Sequence, residues 1–274
     1  GDTRRFRIIA MAQSFHGRTM GSLSATGQEK IRKGFEPVLG GFDFVPFNDI
    51  EALRAKLDET VCAVLLEPIQ GEGGIVCPDP TYLPAVRRLC DETGTLMILD
   101  EIQTGMGRTG KLFAYEHEGA APDIMTLAKA LGNGLPIGAM LAREGVAQAF
   151  GPGSHATTFG GTPIITPGAL AVVTTIEEKG IVERAARIGD YFMEQLQGLQ
   201  RRHHRIETIR CRGLQLGIKL REDGAPLVNA CLARGFVINC VQGDILRLAP
   251  PLIISTDEID ALIDCLDNIL STEV

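Results

Sequence analysis

The chain has 274 residues, 45% of them hydrophobic, which is enough for one large core or two unequal ones. Its formal net charge of -7, from 27 Lys and Arg against 34 Asp and Glu, argues against a nucleic-acid or anionic-membrane partner, since both reward clustered positive charge. No apolar run approaches the roughly 20 residues that span a bilayer, and Arg and Gln interrupt the opening GDTRRFRIIAMAQ where a signal peptide would be apolar. Seven scattered cysteines without a C-x-x-C pair point to a reducing cytoplasm.

In the first half, apolar runs of four to eight residues alternate with amphipathic stretches, the pattern of strands covered on both faces by helices. Strands are expected at 7–12, 42–47, 62–67, 96–100, 124–127 and 138–142. Helices are expected at 50–57, with Asn48 as N-cap, and at 82–93, with Asp79 as N-cap and Gly94 as the stop. After the turn-rich GPGSHATTFGGTP the texture changes. Helical patterns at 166–179 and 181–199 lead into strands at 208–220, 237–241 and 246–249, mixed with helices at 226–234 and 257–270. The expected fold class is α/β: a mixed, mostly parallel sheet flanked by helices over 1–170, followed by a smaller α+β domain over 171–274.

The segment LDEIQTGMGRTG contains Gly105-x-Gly107-x-x-Gly110, which matches the dinucleotide fingerprint literally. That fingerprint needs its first glycine where the strand ends, and here Glu101, Ile102, Gln103 and Thr104 intervene after Asp100. A glycine-rich surface loop is the better reading. Asp100 and Glu101 stand at the carboxyl end of an expected strand, where ligands of open α/β sheets collect. A buried acid there calls for a cation, such as a protonated heterocyclic nitrogen. Lys129 follows another strand and is flanked by Gly132, Gly134 and Gly138. A lysine able to form a Schiff base, together with an acid able to meet a pyridinium nitrogen, suggests pyridoxal 5'-phosphate.

At these residues the chain resembles the class III (subgroup II, ornithine-type) aminotransferases of fold type I. The resemblance rests on SFHGRT (14–19), EPIQGEGG (67–74), LDEIQTGMGRTG (99–110), LAKALGNGLPIGA (127–139), HATTFGG (155–161) and GDILRLAPPLII (243–254), in the family's order. It implies a Schiff base between Lys129 and pyridoxal 5'-phosphate, with Asp100 at the pyridine nitrogen and Gln103 at the phenolic oxygen. Phe15 and Ile102 would lie against the ring, and Thr158 would reach the cofactor phosphate of a neighbouring subunit in a homodimer. Arg18 and Arg247 would bind substrate carboxylates, and Glu72 would pair with Arg247 when the donor enters by its distal amine. His16 reads as a satisfied structural histidine. The implied reaction moves the distal amino group of N-acetylornithine, or a similar acylated diamino acid, to 2-oxoglutarate, as in arginine biosynthesis. Ornithine, succinylornithine and 4-aminobutyrate are alternative donors, and a catalytically incompetent dimerisation partner is the alternative of another class.

Two departures from the family pattern carry expectations. Family chains begin upstream of the position matched by Gly1, so the sequence reads as N-terminally incomplete, lacking a Gly-Thr turn that cups the cofactor phosphate. In GGTPIITPGAL, Pro167 suggests that the following helix starts only after it.

Overall fold

In the computed structural model, which describes residues 3–272, two sheets organise the chain. Strands β1 (Arg7–Met11), β2 (Phe42–Val45), β3 (Val61–Leu66), β4 (Leu96–Asp100), β5 (Ile124–Leu127) and β6 (Ala139–Ala142) form a six-stranded sheet in the order β2-β1-β3-β4-β5-β6. The first five run parallel and β6 antiparallel. The short apolar runs become strands, the central β1, β3 and β4 largely buried as expected of a parallel sheet, while β6 at the edge leaves Met140 and Leu141 exposed. Helices α1 (Met20–Ala25), α2 (Glu29–Arg32), α3 (Ile50–Lys56), α4 (Tyr82–Thr93) and α5 (Glu144–Ala147) occupy the connections. Leu53 of α3 and Leu83, Val86 and Leu89 of α4 pack against Ile9, Val64, Met97 and Leu99 of the sheet.

The expected caps differ from the observed ones. Asp49 caps α3 by accepting from the Ala52 N-H, and α4 begins after Thr81 without a side-chain cap. Asn48 and Asp79 instead bond each other, Asn48 Nδ2 donating to Asp79 Oδ2 and the Asp79 N-H to Asn48 Oδ1, each at 2.9 Å. That pair ties the entrances of the two helices together. A second correction concerns α6 (Ile165–Glu178), which starts two residues before Pro167. A proline so early in a helix sacrifices only an N-H that has no partner inside the helix.

Helix α7 (Ile181–Arg202) leads to β7 (Ile206–Arg212), β8 (Gln215–Leu220), α8 (Ala225–Ala233), β9 (Asn239–Val241), β10 (Ile245–Leu248) and α9 (Thr256–Ser271). The expected strand at 208–220 is a hairpin, because Gly213 turns it at φ +57°. The antiparallel order is β7-β8-β10-β9. Ala185, Gly189, Phe192, Leu196 and Leu199 recur at three- and four-residue spacing and bury one face of α7. Ala185, Phe192, Leu196 and Leu199 form a second core with Leu216, Ile218 and Leu220 of β8, Leu246 and Leu248 of β10, and Ile259, Ile263 and Leu266 of α9. Ser255 and Glu258 close a capping box at the start of α9.

The two sheets meet through loops. Strand alternation sends Leu246 and Leu248 into the second core, so Arg247 faces the other way, toward the 67–76 segment of the large sheet. Gly217, its partner across the ladder, sits so close to Ile75 that an added Cβ would come within 3.0 Å of the Ile75 Cβ. Arg108 Nη1 donates to the carbonyls of Leu214 and Pro250, and burial without a carboxylate partner lowers its pKa to about 10. The loop 104–110 is therefore a packed junction, mostly buried, and not the surface loop expected from its glycines. No helix follows Gly110 directly, which removes the N-terminus that a dinucleotide phosphate would need.

Candidate active site

Four adjacent parallel strands, β1, β3, β4 and β5, end on the same side of the sheet, and the next residues of each carry polar chemistry. After β1 come Phe15, His16 and Arg18; after β3, Glu67 and Glu72; at the end of β4, Asp100 to Thr104; after β5, Lys129. This is the rim where ligands of open α/β sheets bind. A cavity of about 240 Å³ is lined there by Phe15, His16, Glu67, Glu72, Asp100, Ile102, Gln103 and Lys129, among others. A wider cleft of about 770 Å³ shares Ile102, Gln103 and Lys129 with it and extends past Arg108 to Asn239 and Arg247.

Of the two acids after Leu99, Asp100 is the one that faces the cavity. Its carboxylate is buried, accepting from the Ile102 N-H at Oδ1 (3.1 Å) and lying 2.8 Å from His16 Nδ1 at Oδ2. Glu101 is occupied elsewhere: it accepts from the Thr104 hydroxyl and from the Ala114 and Tyr115 N-H groups, closing the loop that follows. His16, expected to be merely structural, is thus the bonded neighbour of Asp100, while its buried Nε2 has no hydrogen-bond partner.

Sequence reading passed over Glu67. Its carboxylate accepts from the Phe15 N-H (3.1 Å) and the Gly71 N-H (3.2 Å), joining two of the loops that frame the cavity. Burial, reinforced by the nearby Asp100 and opposed by His16 and the two N-H donors, raises its pKa from 4.5 to about 7. The folded protein therefore holds a proton there that the unfolded chain has released. Stability from this group is full below about pH 4.5 and is lost as the pH rises through about 7. Urea midpoints of the cofactor-free protein at pH 5 and pH 8 should differ by the equivalent of about 2–3 kcal/mol more in the wild type than in Glu67→Gln. Equal pH slopes in the two proteins would rule out this assignment.

Lys129 stands in a single 3-10 turn, 129–131, at φ +45°, a left-handed conformation that non-glycine residues adopt at a cost. Its residue is exposed and lines both cavities. Glu72 and Arg247 meet across the cleft at 2.5 Å, the arginine largely buried and also donating to Asn239 Oδ1. Arg18 is exposed, its guanidinium carbon 5.6 Å from the centroid of the Phe15 ring. Thr158 is exposed in the 151–161 turn and does not line this cavity. Phe15, Asp100, Ile102, Gln103, Lys129 and Glu72 are thus brought together, with Arg247 joined through Glu72 and Arg18 through the Phe15 ring, and Thr158 lies outside the group.

The lining suits a flat, charged heterocycle: an aromatic and an aliphatic side chain, an anchored buried carboxylate, an amide and a primary amine. Within the described residues it offers no cluster of three or more metal-binding side chains.

Residues 1–270 match the family model for class III aminotransferases. An acetylornithine aminotransferase of Caldanaerobacter subterraneus is 51% identical over 98% of this chain and 68% of its own. One from Methanocaldococcus jannaschii is 47% identical over 96% of this chain and 66% of its own. Among solved structures, an ornithine aminotransferase from Toxoplasma gondii, described with partial occupancy of PLP at its active site, superposes with a TM-score of 0.93 at 32% identity, over 98% of this chain and 65% of its own. The chain spans about two thirds of the length of these relatives.

Proposed function

Because the chain belongs to the class III aminotransferases, whose cofactor is pyridoxal 5'-phosphate, we propose that it transfers the distal amino group of N-acetylornithine, or a similar acylated diamino acid, to 2-oxoglutarate. What carries this reading is that Asp100 and Lys129, contributed by neighbouring strands, line one cavity with an aromatic residue and an amide. When bound, the cofactor supplies an electron sink for the carbanion formed at the substrate carbon.

Each residue then has a physical task. Asp100, fixed by the Ile102 N-H and His16, holds a proton on the ring nitrogen by presenting a carboxylate that cannot turn away. Lys129 would hold the cofactor through its amine, and that amine is placed to move a proton to and from the substrate carbon. Phe15 and Ile102 would pack on the ring and exclude water, and Gln103 would donate to the phenolic oxygen. The exposed Thr158 serves the cofactor phosphate of a second copy, so that the working unit is a homodimer. Arg18 binds the donor's carboxylate. We further take 1–170 as the cofactor-binding domain and 171–274 as the smaller domain, in keeping with a second core formed wholly by residues from Ala185 onward. A cytoplasmic location accords with seven free cysteines.

The Glu72–Arg247 pair gives one pocket two specificities. It is partly exposed to the cleft, so opening it costs little compared with the bidentate contacts that an α-carboxylate offers a guanidinium. A donor entering by its distal amine leaves the pair closed; glutamate or 2-oxoglutarate displaces Glu72. Arg247→Ala should raise the KM for 2-oxoglutarate about 10- to 100-fold while changing the donor half-reaction at most a few-fold. Single-turnover kinetics of the two half-reactions measure this, and equal effects on both would refute the switch.

An amine-donor panel with 2-oxoglutarate tests the function itself, by glutamate formation. N-acetylornithine should be the fastest donor. A preference for ornithine, the second reading, has support in the similarity to ornithine aminotransferase structures. Glutamate from none of N-acetylornithine, ornithine, succinylornithine or 4-aminobutyrate, with a dimer intact, would favour a non-catalytic partner.

A further inference from the structure

We propose that Gln215 is a positioning residue for Gln103, holding its amide so that the Nε2 group faces the cofactor cavity. The inference rests on the functional reading above, which gives Gln103 a phenolic oxygen to meet.

Gln215 is the first residue of β8. Leu216, Ile218 and Leu220 of that strand enter the second core, so alternation turns Gln215 and Gly217 toward the loops of the large sheet. Gln215 is 1% exposed, and its Nε2 donates to Gln103 Oε1 at 3.2 Å. Its own Oε1 is buried without a partner. A buried amide with an unsatisfied acceptor is worse for packing than a methionine or leucine of similar size. Stability alone therefore does not account for a glutamine here.

Gly71 restricts the same amide from a second direction. A Cβ built on Gly71 would lie 1.7 Å from Gln103 Oε1 and 2.6 Å from its Cδ, so the carbonyl end of Gln103 fills the space that any larger residue would take. The oxygen is thus held between Gly71 and a donor from the smaller sheet. Because the amide is planar, fixing its oxygen fixes its nitrogen as well. Gln103 Nε2 makes no hydrogen bond within the described residues, and Gln103 lines both the small cavity and the wider cleft. A donor left free at that position stabilises negative charge on an oxygen of the bound ring. Contact between the two sheets thereby sets the polarity of one cofactor contact.

Reversing the pair tests this. In Gln215→Glu the carboxyl, once ionised at alkaline pH, accepts only, so Gln103 turns its Nε2 toward residue 215 and presents its oxygen to the cavity. In Gln215→Met no partner fixes the amide. The full chain is reconstituted with pyridoxal 5'-phosphate and the pH midpoint of its visible absorption band is titrated. The expected midpoint rises by about one pH unit in Gln215→Glu and by less in Gln215→Met. Gln103→Ala sets the scale, and adding Gln215→Met to it should produce no further shift. A purely structural role would lower the melting temperature and leave the midpoint in place. Midpoints equal to wild type in Gln215→Met, or additive shifts in the double variant, would overturn the proposal, and Gln215→Met retains the packing if Gln215→Glu fails to fold. Absence of a visible band in the wild type would instead count against the functional reading.

Discussion

Lys129→Ala is expected to leave the fold intact and to reduce glutamate formation by at least about 10⁴-fold, the upper range for loss of a positioned acid-base group. Lys129 is exposed, its turn is held by backbone bonds such as Leu131 N-H to the Ala128 carbonyl, and removing the side chain creates no core cavity. Little stability is at stake, so the loss is chemical. Alanine meets the same cost at φ +45° as lysine does, so the surrounding loop is expected to keep its shape. Circular dichroism and thermal melting should match wild type to within a few degrees. Initial rates with saturating donor and 2-oxoglutarate supply the other half of the comparison. Residual activity above a few per cent would show that another amine does the work.

Asp100→Asn is expected to lower kcat about 10²–10³-fold, the range found when a pre-organised electrostatic contact is removed. Asparagine fits the same space and can still accept from the Ile102 N-H, while its Nδ2 meets His16 Nδ1 in the tautomer that leaves that nitrogen unprotonated, so the charge is removed with the contacts kept. Asp100→Ala should add a folding defect. It leaves His16 Nδ1 without its partner while Nε2 already has none, an unpaired imidazole in a buried site costing about 1–3 kcal/mol. Melting temperatures and steady-state rates for the two variants separate these effects. If the asparagine variant keeps near wild-type kcat, the ring nitrogen does not depend on this carboxylate.

The large sheet was readable because its strands are short apolar runs punctuated by turns, too short for a helix. Asp100 and Lys129 were readable from their places at strand ends, Asp100 directly after Leu99 and Lys129 two residues past Leu127 and before a glycine-rich turn. Glu67 stands in the same position after Leu66, so the signal that singled out Asp100 was present there too. Its weight became visible only through burial and its two N-H donors, which depend on loops distant in sequence. The caps failed for a local reason. Asn48 and Asp79 have the right chemistry for helix N-termini, but each found a better partner in the other. Gln215 could not be recognised from β8 alone, since the sense of its alternation has meaning only once the second core selects a face. The expected strand at 208–220 breaks at Gly213, whose φ of +57° makes the turn and whose missing Cβ lets Thr109 and Gly189 approach.

Lys129 is proposed to hold pyridoxal 5'-phosphate in the cavity that Asp100 lines. Borohydride reduction of the reconstituted chain, followed by peptide mass mapping, tests it most directly. The expected result is one phosphopyridoxyl group per chain, on the peptide containing Lys129, with none in Lys129→Ala. A modification spread over surface lysines, or one retained in the alanine variant, would contradict it.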